Sequence, residues 1–345
     1  MALTLSRLAA RARGLAAVVS IPWLLAACGG SDDPAIDRGP TAIALPADPN
    51  GAYWDAAEGK LYFTDDNTNS LITWDGEGRT TFTTYAALPA LVAPATPTQV
   101  SLGQIARAPD KTFHVTRFGF GNAGTAVEVS PAKVTRNLTG LDPVRRRIAL
   151  TRTSAGEILD SWFTTPPSPC PATTNGSVSL LTVNADASAA EQEIITGLSK
   201  PVGAATVGRT LFVSDQATGK LLSYSLDAVR SAPATAAQGT TVASFTTNLV
   251  SSDPASLTAD NIDLMTAAPD GTLFFGGRGS KVFQVNSATG AVKTIATFNT
   301  SADPGRLQVR GVAYDTANQR LFVTVHSTDI TKAGNALHIL PFTPG

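Results

Sequence analysis

The sequence predicts an all-β protein, a six-bladed β-propeller, on three observations. Short runs rich in aromatic and β-branched residues alternate with clusters of turn formers. That alternation returns at six places along the chain. A β-prone segment near the start has no partner of its own, while the last repeat lacks a strand.

The alternation is plainest over residues 50–78, NGAYWDAAEGKLYFTDDNTNSLITWDGEG. Ala52–Trp54, Leu61–Thr64 and Leu71–Trp74 read as strands, and the acidic, Asn- and Gly-rich stretches between them read as turns of an antiparallel meander. The second strand of each repeat can be anchored at Leu61, Thr112, Ile158, Leu211, Leu273 and Leu321. Several carry one motif: Leu-Tyr-Phe-Thr, Leu-Phe-Val-Ser, Leu-Phe-Phe-Gly, Leu-Phe-Val-Thr. A first strand precedes each anchor, as in Gly311-Val-Ala-Tyr-Asp. Third strands are expected at Ser70–Trp74, Ala126–Val129, Leu221–Ser225 and Val282–Val285, and fourth strands at Thr80–Thr84, Val134–Leu138 and Val292–Phe298. One blade cannot cover both its faces, so repeated units stack around an axis. The last repeat has strands near Val312, at Leu321–Val325 and at Ala336–Leu340, then no fourth. Thr41–Leu45 is expected to supply it and lock the ring. In the third repeat a Pro-rich insertion, Thr164–Gly176, interrupts the second hairpin. The rival architecture is an irregular two-domain β-sandwich protein.

Of 345 residues 15% are charged, and Gly (29) and Pro (22) are plentiful, which suits a turn-rich β domain. Arg7, Arg11 and Arg13 precede an apolar run, Gly14–Ala26, too short to span a bilayer and typical of a secretory signal. Leu25-Ala26-Ala27-Cys28 resembles the bacterial lipoprotein box. The resemblance implies cleavage before Cys28, acylation of that Cys and a membrane anchor. Gly29, not Asp, follows, which points to the outer membrane of the cell envelope, facing the periplasm. The expected organisation is a signal peptide over 1–27, a polar tether over 28–40 and the propeller over 41–345. Removing the leader leaves 26 − 3 = 23 basic against 27 acidic side chains, a net charge of −4. That excludes the basic footprint of a nucleic-acid binder and a polybasic membrane patch. Cys170, in Pro-Pro-Ser-Pro-Cys-Pro, reads as a loop thiol with no disulfide partner once Cys28 is acylated.

The chemical motifs are weak. Gly119-Phe-Gly-Asn-Ala-Gly124 matches a dinucleotide-binding string, yet a strand follows where a helix is required. Asp65-Asp66-Asn67-Thr68-Asn69 lacks the Gly and distal Glu of a calcium loop and reads as a hairpin turn. His114, His326 and His338 fall in or beside strands of different blades, without the spacing of a zinc site. No G-x-S-x-G elbow is present, and the sequence identifies no catalytic residue.

The stretch Asn50-Gly-x-x-Trp-Asp-x-x-x-Gly-Lys-Leu-Tyr-Phe-x-Asp, followed by Trp74-Asp-Gly-x-Gly, resembles the first blade of the gluconolactonase and regucalcin family, and more loosely the likeness runs to about residue 340. It implies a six-bladed propeller whose axial site holds a divalent cation that polarises a sugar lactone. The implied ligands are a Glu, two Asn and an Asp at the starts of innermost strands. Here those places read Asn50, Ser101, Val202 and Asp263, so only the Asp is kept. A dication needs more charge and oxygen than this, which argues against metal-dependent lactonase activity and against any cofactor. The same count gives an axial ring: Asn50, Ser101, Arg147, Val202, Asp263 and Arg310. Two guanidiniums among them suit a carboxylate or phosphate. The expectation is a binding domain for a protein partner or a small anionic or polyhydroxy ligand, held by Asn50, Ser101, Arg147, Asp263 and Arg310. An Arg–Asp bridge sealing the channel is the structural alternative, and a lactonase-like hydrolase with a degenerate metal site is the enzymatic one.

Overall fold

Six sheets form the fold, antiparallel except for one short parallel pairing at the outer edge of the third, and each is a blade. The computed structural model describes residues 41–76, 81–90, 101–118, 124–164, 175–250, 253–277, 279–298, 306–329 and 334–342. The leader, Cys28, the tether, Cys170, nearly all of the 164–176 insertion and residues 119–123 lie outside these.

The chain opens with β1 (Thr41–Ala44). Blade 1 follows as β2 (Pro49–Asp55), β3 (Lys60–Asp65), β4 (Ser70–Trp74) and β5 (Phe82–Ala87). Blade 2 is β6 (Leu102–Arg107), β7 (Phe113–Arg117), β8 (Thr125–Val129) and β9 (Thr135–Asn137). Blade 3 is β10 (Arg146–Arg152), β11 (Ile158–Thr164), β12 (Asn175–Val183) and β13 (Ala189–Leu198). Blade 4 is β14 (Pro201–Val207), β15 (Thr210–Asp215) and β16 (Lys220–Ser225). Helix α1 (Leu226–Ser231) then leads to β17 (Ala234–Thr235), which joins the outer edge of blade 3, before β18 (Thr240–Ser244) completes blade 4. Blade 5 is β19 (Ile262–Ala267), β20 (Thr272–Gly277), β21 (Lys281–Asn286) and β22 (Val292–Thr297). Blade 6 is β23 (Leu307–Asp315), β24 (Arg320–Ser327) and β25 (Ala336–Pro341), and β1 is its outermost strand. Thr41 to Ala44 pair antiparallel with Ile339 to Ala336. The first strand of the ring therefore closes the last blade, as the sequence predicts.

The blades stack because their faces are apolar. Phe63, Trp74, Phe322 and Leu337 share one core between blades 6 and 1, while Tyr62, Leu71, Phe113 and Val127 share another between blades 1 and 2. Each innermost strand touches the innermost strand of the next blade, and β23 touches β2, so the ring is continuous.

A single device recurs at the axis. Every innermost strand carries a bulge in which two residues face one on its neighbour. The pairs are Asn50–Gly51, Gly103–Gln104, Ile148–Ala149, Val202–Gly203, Asp263–Leu264 and Arg310–Gly311. Opposite them stand Thr64, Thr116, Ser161, Ser214, Gly276 and Thr324. Five of these six have a hydroxyl, and each reaches a carbonyl of the next blade's inner strand: Thr64 to Gly103 (3.4 Å), Thr116 to Ile148 (2.6 Å), Ser161 to Pro201 (3.1 Å), Ser214 to Asp263 (3.2 Å) and Thr324 to Asn50 (2.9 Å). Glycine permits the approach. A Cβ on Gly51 would lie 2.2 Å from the Gly103 oxygen, and one on Gly311 would lie 2.3 Å from the Asn50 oxygen.

Three expectations need correction. The second-strand position of blade 2 is Phe113, not Thr112, because Phe113 pairs with Arg107 as Leu61 pairs with Trp54 in blade 1. The fourth strand of blade 1 starts at Phe82, two residues beyond the expected Thr80. His326 and His338 share blade 6 rather than occupying different blades, since β24 and β25 form one hairpin.

Candidate functional site

The inner strands begin at one end of the axis, the upper mouth. Asn50, Asp263 and Arg310 each occupy the first bulge position of their strand, in blades 1, 5 and 6. All three are half-buried. Val202 holds the same position in blade 4 and is buried.

Ser101 and Arg147 do not stand there. The equivalent residues are Gly103 and Ile148. Ser101 lies just before β6, buried, and its carbonyl accepts from the Phe118 N–H at 3.0 Å. Arg147 precedes its bulge at the place held by Pro49, Leu102, Pro201, Ile262 and Val309 in the other blades, all buried and apolar. Its guanidinium is fully enclosed. Nε and Nη2 grip the Glu191 carboxylate, and Nη1 donates to the carbonyls of Gly124, Asp142 and Arg145. A fork so committed offers nothing to a ligand. The count back from the anchors failed because hairpin lengths differ from blade to blade.

Arg310 is in the opposite situation. Among the described residues its guanidinium makes no hydrogen bond and no ion pair. The acid that feels it is Asp66, in the turn after β3. Asp66 is positioned by its own turn. Its N–H donates to the Asp48 carbonyl at 2.9 Å, while Asp65 Oδ1 accepts from the N–H groups of Asp48 (2.8 Å) and Asn67 (3.0 Å). Asp66 Oδ1 reaches into blade 2 and accepts from the Leu102 N–H at 2.7 Å, and its carboxyl is hydrogen-bonded to the Asn50 side chain. Burial outweighs these donors, and Asp48 adds like charge, so the Asp66 carboxyl is pushed up to about 7. The mouth thus holds an acid pushed up toward neutrality, an amide and a guanidinium without an ion-pair partner among the described residues.

The sequence reading missed Asp66 as a site residue, because Asp-Asp-Asn-Thr-Asn is a complete explanation of a turn. The available signal is positional. Gln216, at the same place in blade 4, also reaches the next blade, donating to the carbonyls of Asn261 (3.1 Å) and Ile262 (3.0 Å). At that place in blade 6 stands His326, whose Nδ1 meets the Asp48 carboxylate.

At the other end of the axis the inner strands enclose a cavity of about 260 Å³, lined in part by Ala52, Ala106, Ala204, Ala205, Ala267 and Ala313. Of the bulge residues only Gln104 reaches it, and it contains none of the five expected ligand-binding residues.

Fold and site together define a six-bladed β-propeller with a polar upper mouth. No family model and no curated protein sequence matches the chain. Solved structures do. A luciferin-regenerating enzyme aligns at 16% identity over 89% of this chain and 98% of its own, with a TM-score of 0.59. Regucalcin from Agrobacterium tumefaciens, a calcium-binding protein, aligns at 15% over 88% and 93%, with a TM-score of 0.56. A gluconolactonase from Xanthomonas campestris aligns at 18% over 87% and 88%, also at 0.56. The structural neighbours are thus gluconolactonase- and regucalcin-like propellers, and at this identity they establish the fold. Their three descriptions differ, so the fold leaves the activity open.

The cation that the family resemblance implies does not fit the residues present. Asn50, Gly103, Val202 and Asp263 supply one carboxylate, one amide and two places with no side-chain oxygen. A hard dication takes six or more oxygen ligands. Among the described residues, no group of three or more His, Cys, Asp or Glu is placed to hold a metal.

Proposed function

We propose that this protein is a ligand-binding propeller that takes a small anionic, polyhydroxylated molecule at the upper mouth. The observation that carries the reading is Arg310, half-buried at the first bulge position with no carboxylate in ion-pair range among the described residues. A guanidinium removed from bulk water and left without a counter-charge is costly. A carboxylate or phosphate from a ligand supplies that charge in bidentate form. Asn50 and Asp66 beside it offer an amide and a carboxyl for ligand hydroxyls, and Asp263 enters from blade 5.

Titration calorimetry against a panel of sugar acids and sugar phosphates tests this. Arg310→Ala is expected to weaken the best ligand by about 10–100-fold, the worth of a charge-assisted hydrogen bond. Arg310→Lys keeps the charge but loses the fork and is expected to recover part of the affinity. Unchanged binding in Arg310→Ala removes the reading. A lactone hydrolase is the second reading, favoured by the retained Asp263. Lactone hydrolysis that depends on added calcium or zinc and disappears in Asp263→Asn would establish it instead.

The lipoprotein box adds an address. In this reading Cys28 carries the acyl chains, and the propeller hangs from the outer membrane into the periplasm, where a protein partner is also within reach. Cys28→Ala is expected to move the protein from the membrane fraction to the soluble fraction and to abolish labelling by a palmitate analogue. Labelling that survives the substitution would refute the anchor.

A further inference from the structure

We propose that the closing seam carries a second small-molecule site, selective for an organic ammonium ion. Where blade 6 meets blade 1 the structure forms an open-sided pocket of about 470 Å³, within the usual size range of small-molecule sites. One wall is apolar: Leu45, Pro46 and Ala47, the turn that carries the chain from β1 into blade 1. That wall is fixed. Leu45 N–H donates to the Asn335 carbonyl at 2.9 Å, and the Asn335 amide donates to the Ala47 carbonyl at 2.7 Å.

The facing wall carries His326 and Asp48. The imidazole Nδ1 meets the Asp48 carboxylate, which fixes the tautomer. With Nδ1–H donating to Asp48, the Nε2 lone pair is left as an acceptor, and it has no partner among the described residues. The His326 ring is 17% exposed and Asp48 37%, so both are within reach of a molecule in the pocket. Among the described residues the lining includes a second carboxylate, Asp329, and no Lys or Arg. An ammonium group satisfies this arrangement: it donates to Nε2, brings positive charge beside Asp48, and lets a short apolar chain lie on Leu45–Pro46–Ala47. A carboxylate fails on both counts. The preference is opposite in sign to that of Arg310, so ligand charge distinguishes the two sites.

The test follows the imidazole nitrogens of the folded propeller by NMR while n-butylammonium, n-butanol and butyrate are added in turn. The butylammonium ion is expected to shift His326 Nε2 with millimolar affinity, and the other two to leave it in place. Ala44→Trp fills the pocket from an exposed strand position without touching the His–Asp pair, and it is expected to abolish the response. His326→Gln is expected to weaken binding at least tenfold, measured by calorimetry. Arg310→Ala is expected to bind as the parent does. Equal responses to butanol or butyrate, full binding by Ala44→Trp, or no Nε2 shift overturns the proposal, whatever becomes of the anion site.

Discussion

Asp66 concentrates the tension of the upper mouth in one carboxyl. Its ordinary value is 3.8, and in the folded chain it lies near 7. Between those values the folded protein holds a proton that the unfolded chain releases, so this residue makes stability fall as pH rises through about 4 to 7. Asp66→Asn keeps an oxygen for the Leu102 N–H and cannot ionise. The variant is expected to match the parent in stability at pH 3 and to exceed it at pH 8, by on the order of 1–3 kcal/mol. An equal difference at both pH values would mean that Asp66 is not the titrating group. His114 acts in the reverse sense. Burial holds its imidazole down to about 4, so its contribution is complete above 6.5 and is lost as pH falls toward 4. The two effects offset each other in the parent, and the single variant exposes them.

Blade 3 is the element that departs from the repeat. Arg147 and Asp160 stand at places that other blades fill with core residues, Asp160 at that of Phe63, Val115, Val213, Phe275 and Val323. Glu191 reaches back from β13 to compensate. Its carboxylate binds both Arg147 and Arg145, the latter at 3.0 Å, and Arg145 in turn lies 3.8 Å over the Trp162 ring. Those two cations hold Glu191 below its usual range, whereas complete burial and the neighbouring Glu191 charge push the Asp160 carboxyl well above its own. An ion network replaces a hydrophobic contact, and it is sensitive to losing a member. Glu191→Gln leaves the enclosed guanidinium only the Asp160 carboxyl, 3.6 Å from its Nε, and is expected to cost up to about 3–5 kcal/mol, seen as a lower midpoint in urea unfolding. The substitution leaves the upper mouth intact, so residual binding by the folded fraction is expected to be unchanged.

The whole molecule is a ring, and its weak points are its seams. The hydroxyls of Thr64, Thr116, Ser161, Ser214 and Thr324 tie five seams at the bulge level. At the sixth, Gly276 has no hydroxyl, and Val309 packs where a Cβ would sit, 2.2 Å away. Each such tie contributes roughly 1 kcal/mol. The closing seam has additional fasteners in the β1–β25 pairing and the His326–Asp48 contact. Deleting residues 41–44 removes the outer strand of blade 6 and leaves the edge of β25 without a partner. Hydrogen exchange is then expected to quicken first at residues 336–341, with β15 and β20 still protected. Uniform loss of protection would show that the ring melts as one unit rather than opening at its seam.

The sequence by itself determined the architecture. Blade count, strand order within a blade and closure by Thr41–Ala44 all follow from local alternation and from one strand left over at each end of the repeat. Those signals are short-range, and a period of two survives any loop length. The same reading placed Asn50, Asp263 and Arg310 at equivalent positions but misplaced Ser101 and Arg147 by one or two residues. A bulge position depends on hairpin length, and a slip of one residue moves a side chain to the other face. Only the tertiary structure decided which charges are spent and which are open. Arg147 and Arg310 look alike in the sequence. What separates them is a carboxylate 44 residues away, Glu191, which folding brings against the first and not the second.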